Sequence, residues 1–374
     1  MVARPPVCLT AASWDALAAA ALADGAAGAV HSVFDRACNL GCTDGGLVGI
    51  VGPAAGNGPA TLVLAAPPAI ALTALGPEVN GGWRVVNRVL GFENATLRIN
   101  LAEARVWQPP RALVVVAPEA LRARLARAAH VSSATAPRDG LAPLLGRIGC
   151  LLGDEAAAPS SQERHGVASD MAGGTAGLLG GAVFGPGRSA ADLAVVRAAS
   201  AVWSLVHAWR GGDTMATAAA ARSLSGLGPG LTPSGDDLLA GFLIGTVRAS
   251  GRLDPRLADA VVAATLGRTN DIAGARVRHA AAGRIEERMD DVVTALLGES
   301  DAALEDAVGR AVRWGHTSGI DILVGLLLGM GLVLRSDRAG WPSSHLSSRA
   351  SASDRGVFGQ TSAWQSVDPS LRSG

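Results

Sequence analysis

One twelve-residue pattern occurs twice in the chain, and it constrains the fold more than any other feature. Ser234-Gly235-Asp236-Asp237-Leu238-Leu239-Ala240-Gly241-Phe242-Leu243-Ile244-Gly245 and Ser318-Gly319-Ile320-Asp321-Ile322-Leu323-Val324-Gly325-Leu326-Leu327-Leu328-Gly329 lie 84 residues apart and share seven of twelve positions. Ser and Gly ahead of an apolar run predict a helix start, with the Ser oxygen accepting from a free first-turn N–H. An Asp in the first turn complements the helix dipole. Spacing by four puts Asp237, Gly241 and Gly245 on one helix face, and Asp321, Gly325 and Gly329 on another. A glycine inside a helix costs roughly 1 kcal/mol against alanine, so four of them imply close packing of the two helices through their glycine faces. Run parallel, the pair brings both helix starts and both Asp residues together. Run antiparallel, it separates them by a helix length.

The segment before the first helix, Gly226-Leu227-Gly228-Pro229-Gly230-Leu231-Thr232-Pro233, is rich in glycine. Gly228 and Gly230 permit a nest of backbone N–H donors, Thr232 and Ser234 add hydroxyls, and Gly235 and Asp236 complete the turn. This is the make-up of a cradle for phosphate or carboxylate. Asp236 and Asp237 oppose an anion there. Either arginines or a divalent cation offset them, or they cap backbone groups and face away. A purely structural turn with capping Ser and Asp is the alternative.

The second start, Gly315-His316-Thr317-Ser318-Gly319-Ile320-Asp321, surrounds His316 with Thr317, Ser318, Gly319 and Asp321, making His316 the candidate acid/base. Its alternative is a His that hydrogen-bonds the turn. No G-x-S-x-G elbow supports a Ser-His-Asp triad. Arg268, with Thr269 and Asn270 in Gly267-Arg268-Thr269-Asn270, is the candidate bidentate cation for the cradle, or else it satisfies the last carbonyls of its helix. Arg276, Arg278, Arg284 and Arg288, interspersed with Glu286, Glu287 and Asp290, read as a solvated helix face.

Thirty-two basic residues balance thirty-two acidic ones in 374 residues, which disfavours a nucleic-acid binder. Every basic residue is Arg, and there is no Tyr. A Lys Schiff base, a P-loop Lys and a Tyr general acid are therefore excluded. Cys8, Cys38, Cys42 and Cys150 do not form a zinc-ligand set and are expected as reduced thiols. The N-terminus matches a signal peptide weakly. The longest apolar run, Ile322 to Leu334, has 13 residues, against the roughly 20 of a membrane span. We expect a soluble cytoplasmic protein with no membrane or nucleic-acid partner.

The expected fold class is α+β. Residues 28–117 read as β-rich, with short apolar runs (Leu47 to Val51, Thr61 to Leu64, Trp83 to Leu90, Ala95 to Ile99, Ala112 to Val116) between Gly, Pro and Asn clusters. Residues 118–188 are mixed, with a helix over Glu119 to His130 and a loop over Ala156 to Gly166. Residues 189–335 are helical: Ala190 to Trp209, Asp237 to Ala249, Pro255 to Leu266, Ala273 to Gly283, Met289 to Leu297, Ala302 to Trp314 and Asp321 to Leu334. Residues 336–374 read as a disordered Ser-rich tail.

At the duplicated blocks the sequence resembles the family of the oxamate carbamoyltransferase subunit AllH. GLGPGLTPSGDDLLAG at Gly226 to Gly241 carries the resemblance most specifically. GRTN at Gly267 to Asn270 and GHTSGIDILVG at Gly315 to Gly325 are similar to its other blocks. Looser similarity runs through Ser32-Val33-Phe34 to Asn39-Leu40, Asp44-Gly45-Gly46-Leu47 and Gly58-Pro59, so that residues 28 to 334 are covered. The resemblance implies a cytoplasmic complex with AllF-like and AllG-like subunits in allantoin breakdown, interconverting oxalurate plus phosphate with oxamate plus carbamoyl phosphate. A small anionic substrate would then meet the paired helix starts, with His316 taking a proton and Asp237 and Asp321 orienting His316 or Arg268. No cofactor is implied; Mg²⁺ held by the two Asp residues is an alternative that nothing in the sequence singles out. A non-catalytic anion-binding or assembly subunit, and a stand-alone ureido-acid hydrolase, are the competing readings.

Overall fold

The computed structural model describes residues 7–66, 71–109, 117–137, 139–148 and 190–336, with side chains from 195 to 335 in the last stretch. They fall into two compact units, one within residues 1–110 and one within 111–341. The strand expected at Ala112 to Val116, the loop at Ala156 to Gly166, the Ser-rich tail and Cys150 lie outside the described residues.

The first unit is a β-barrel. Its strands are β1 (Val7–Trp14), β2 (Ala27–Val33), β3 (Ala37–Cys42), β4 (Leu47–Val51), β5 (Thr61–Leu64), β6 (Gly82–Val86), β7 (Val89–Phe92), β8 (Leu97–Asn100) and β9 (Arg105–Val106), with α1 (Ala16–Ala21) after β1. The sheet order is β5-β4-β3-β2-β6-β7-β8-β1-β9, and β1 closes it by pairing with β5 as well. One strand serves three neighbours because its first half runs parallel to β8, its last residues run parallel to β9, and its second half pairs antiparallel with β5 across a bulge between Ala11 and Ser13. Period-two alternation fills the interior: Cys38 and Leu40, Val48 and Ile50, Trp83 and Val85, Leu90 and Phe92, Leu97 and Ile99 are all buried.

The strand pattern starts earlier than the sequence suggests, at Val7. The single run expected over Trp83 to Leu90 is two strands: Asn87 and Arg88, both at positive φ (50° and 59°), form a two-residue hairpin turn. Arg88 tolerates that conformation with its N–H on Asp24 and its guanidinium on the Leu101 and Ala102 carbonyls. Cys38 is buried, Cys42 half-buried and Cys8 exposed, all as free thiols.

The second unit is helical: α2 (Pro118–Thr135), α3 (Ala190–Arg210), α4 (Thr214–Leu224), α5 (Ser234–Ser250), α6 (Pro255–Thr265), α7 (Asp271–Ala281), α8 (Glu287–Leu297), α9 (Asp301–Val312) and α10 (Ser318–Ser336), with a 3₁₀ turn at Ala142–Arg147. The class is thus α+β, strands first and helices after. Helices α5 and α10 form its centre. Residues Ser234 to Thr246 of α5 are buried without a break. Helix α10 is apolar and long enough to cross a membrane, yet 83% of that stretch is buried inside this unit. Arg124 of α2 fastens the far end of α8, donating to the carbonyls of Ala295, Leu296, Glu299 and Ser300 and pairing with Asp301 at 3.0 Å.

The central pair is parallel. A methyl group on Gly241 would fall inside the Ile322 carbonyl oxygen, and one on Gly325 inside the Leu238 carbonyl oxygen. Gly245 meets the backbone of Leu326 and Met330; Gly329 meets that of Phe242 and Thr246. The 84-residue offset converts each of these contacts into its counterpart, so the two helices are related by a local two-fold. The glycines are there because backbone lies against backbone.

Candidate functional site

Both helix starts open at one end of this pair. The expected Ser caps are not caps: Pro233 holds that position in α5, and Ser234 is the first helical residue. The Gly235 N–H is taken by the Leu227 carbonyl at 2.9 Å, and the Gly319 N–H by Trp314 at 3.1 Å. Chain packs tightly at both points, since a side chain on Gly235 would strike the Leu224 carbonyl and one on Gly319 the Ala311 carbonyl. An anion cradle built from those two amides is therefore ruled out; hydroxyls are what the two starts present instead.

Those hydroxyls and the acids cross over. The Ser318 hydroxyl acts on Asp237, and the Ser234 hydroxyl on Asp321, each lowering the proton affinity of the opposite helix's carboxylate. The 84-residue offset maps one pair onto the other. Thr232 Oγ1 lies 2.8 Å from Ser318 Oγ. Asp237 and Asp321 are both fully buried, and each keeps one oxygen, Oδ2, without a well-formed hydrogen bond among the described residues. Burial raises the pKa of both to about 6.

The remaining partners differ. Asp237 Oδ1 takes a hydrogen bond from Arg276, whose Nε also binds Glu286 at 2.9 Å and whose guanidinium lies 5.3 Å from the Trp314 ring centre. Burial alone would lower the Arg276 pKa, but Asp237 and Glu286 together raise it. Asp321 Oδ1 accepts the Leu141 N–H at 2.6 Å, with Thr317 also bearing on it. Asp237 is near enough to push the Asp321 pKa further up.

Above the serines is a cavity of about 980 Å³. Its wall combines Ala136, Pro137 and the stretch from Asp139 to Pro143 with the Leu227–Thr232 loop, and it includes Gly228, Gly230, Thr232, Ser234, Thr317, Ser318 and His316. His316 is 84% exposed, with Nε2 at 3.4 Å from Asp139. Its carboxylate neighbour is thus Asp139, where the sequence pointed to Asp237 or Asp321.

Four expected site residues, Asp236, Arg268, Thr269 and Asn270, stand elsewhere. Asp236 is buried and saturated, accepting from Ser225, the Gly226 N–H and Thr269 at 3.2, 3.2 and 2.6 Å. Asn270 caps α7 and donates to the Leu231 carbonyl at 2.6 Å. Thr269 and Asn270 thus brace the glycine loop from behind. Arg268 is exposed and is not among the described residues lining the cavity. The arginine that meets the acids is Arg276, placed by the sequence pattern on a solvated face. Its signal was available: it sits beside the buried stripe Ala273, Val277 and Ala280. No cluster of three or more His, Cys, Asp or Glu able to hold a metal occurs among the described residues.

Two family matches cover more than half of the chain. Residues 224–330 match the family described as oxamate carbamoyltransferase subunit AllH, and residues 10–106 match the AllH family N-terminal domain. No curated protein and no solved structure matches the chain.

Proposed function

The chain belongs to the AllH family, that of an oxamate carbamoyltransferase subunit, and on that premise we propose that the cavity of the helical unit receives a small carbamoyl acceptor or donor anion, oxamate or oxalurate, in the interconversion of oxalurate plus phosphate with oxamate plus carbamoyl phosphate. In the transfer direction the oxamate nitrogen bonds to the carbamoyl carbon, the bond from that carbon to the phosphate oxygen breaks with its electron pair, and the nitrogen gives up a proton. Hydroxyls of Thr232, Ser234, Thr317 and Ser318 offer hydrogen bonds to the carboxylate and carbonyl oxygens of such a ligand. His316 at the rim supplies one positive charge when protonated.

The observation that carries the reading is this wall of paired hydroxyls on one cavity at the duplicated helix starts. The same inventory argues for a subunit of an assembly. No arginine lines the cavity among the described residues, while carbamoyl phosphate and phosphate carry more negative charge than one imidazolium offsets. The missing cations are assigned to AllF-like and AllG-like partners, in the cytoplasm and in allantoin breakdown. A non-catalytic binding or assembly role is the second reading, favoured by the internal use of the Gly235 and Gly319 amides.

The test is to purify the chain with its AllF-like and AllG-like partners and assay phosphorolysis of oxalurate to carbamoyl phosphate. Activity in the complex and none in the chain alone is expected. A complex equally active without this chain would defeat the catalytic reading and leave the assembly role.

A further inference from the structure

We propose that a neighbouring subunit of the complex closes the cavity of the helical unit, laying an aliphatic segment with one basic side chain on the lip that carries Leu231 and Asp139. The inference rests on the cavity reading above and names the partner chemistry that completes it.

The cavity is larger than its ligand. Its volume of about 980 Å³ lies at the upper end of the roughly 300–1,000 Å³ that encloses a drug-sized molecule, whereas oxamate and oxalurate are a fraction of that size. Carbamoyl phosphate also reacts with water, so a transfer site has to exclude it. The described wall leaves the way open: Pro229, Gly230, Leu231 and Asp139 line the cavity and are all exposed.

The lip is held in place. Leu231 is 55% exposed, yet its carbonyl accepts from Asn270 at 2.6 Å, and the next residue, Thr232, bonds Ser318 at 2.8 Å. The leucine is thus held outward by the chain on either side of its side chain. Leu227 and Pro229 extend its apolar surface into the cavity, and Ala136, Pro137 and Ala142 add to the same lining. A contiguous apolar surface that opens outward and is rimmed by polar groups is a contact surface. The hydroxyls of the helix starts serve the ligand, which leaves this apolar part to another occupant.

Charge selects that occupant. Among the described residues lining the cavity, Asp139 is the one acid and His316 the one base. Asp139 is 67% exposed, so a second cation can approach it. An arginine or lysine brought there is fixed by the carboxylate and faces the anionic ligand. An acidic segment meets like charge on both sides. Membership of a family of carbamoyltransferase subunits supplies the occupant, another subunit of the same assembly.

The experiment compares hydrogen exchange in the full chain alone and in the assembled complex. The amides of Gly228, Gly230 and Leu231 have no hydrogen-bond partner among the described residues, and each should exchange about ten-fold more slowly on assembly. Protection confined to other surfaces overturns the proposal. So does full protection in the chain alone, which would mean that the chain covers its own lip. Leu231→Asp should weaken assembly by about 30-fold. Val86→Asp, at a barrel position exposed to 54%, adds the same charge and should leave assembly intact; equal losses in the two variants overturn the proposal. Asp139→Arg should slow association about ten-fold at low salt and less at high salt. Faster association would reveal an acidic occupant and overturn the basic one. Turnover keeps the two readings apart. A complex with a protected lip and no phosphorolysis of oxalurate defeats the cavity reading and upholds the docking. An active complex with an unprotected lip does the reverse.

Discussion

The two helix starts are near copies in sequence and in backbone, yet they treat the same acid differently. At α5, Asp237 is tied to a partly buried guanidinium that is itself braced by Glu286. At α10, Asp321 is tied to the amide of Leu141, in the segment that walls the cavity. The glycine faces preserve the local two-fold down to individual carbonyl contacts. What the difference teaches is that backbone packing fixed the symmetry, while side chains from outside the repeat (Arg276 on α7) and a loop from another part of the unit broke it. Breaking it gave one carboxylate a guanidinium partner and the other a backbone amide.

The largest expected effect attacks the asymmetry. Arg276→Met leaves Asp237 buried without its cation and should cost about 3–5 kcal/mol in urea unfolding. Adding Asp237→Asn should restore a good part of that; strict additivity would show that the ion pair does not govern Asp237. Next come Gly241→Ala and Gly325→Ala, each expected to cost about 3 kcal/mol, because the new methyl meets backbone that cannot turn aside. Losses matching within about 0.5 kcal/mol would support the two-fold, and strongly unequal ones would break it.

The pH response is expected to be smaller. In the unfolded chain the acids titrate near 3.8, and in the folded chain at about 6. Between those values the folded state holds more protons, so its stability is greatest below the lower value and falls as pH rises through the higher one. About 2 kcal/mol of pH-dependent stability should disappear in Asp321→Asn, read from melting curves across that window. An unaltered slope would show that Asp321 is not the titrating group. Smallest is Gly140→Ala, at about 1–2 kcal/mol: φ is +65° and the methyl would lie 2.6 Å from Asp321 Oδ1. Faster hydrogen exchange at Leu141 should accompany it, with no counterpart at Arg276.

The sequence revealed the central helices because their glycines sit at helical spacing with nothing else to explain them. It also brought out Ser234, Ser318, Thr232, Thr317 and His316, which line the cavity, because each motif is contiguous. It also placed β4 and β5 by their apolar runs, at Leu47–Val51 and Thr61–Leu64. Less legible were β1 and β3, Val7–Trp14 and Ala37–Cys42, where Ala, Ser, Gly and Cys blur the alternation. Helix α4 (Thr214–Leu224) escaped notice because its buried stripe is largely alanine, although Asp213 caps it. Arg276 was placed on a solvated face because charge pattern outweighed its position beside the buried stripe Ala273, Val277 and Ala280, while Arg268, in the turn before α7, is exposed. Asp139 and Leu141 lie far from the motifs in sequence, so their meeting with His316 and Asp321 belongs to tertiary structure alone.

The exchange of Gly241 and Gly325 contacts under one offset has a further consequence. Two surfaces that fit each other across a two-fold axis, with like meeting like, are the geometry of a symmetric homodimer held in a single polypeptide. The covalent join between the halves frees their side chains to differ, Phe242 against Leu326 and Ala240 against Val324, and lets each acid keep its own partner, Arg276 or the Leu141 amide.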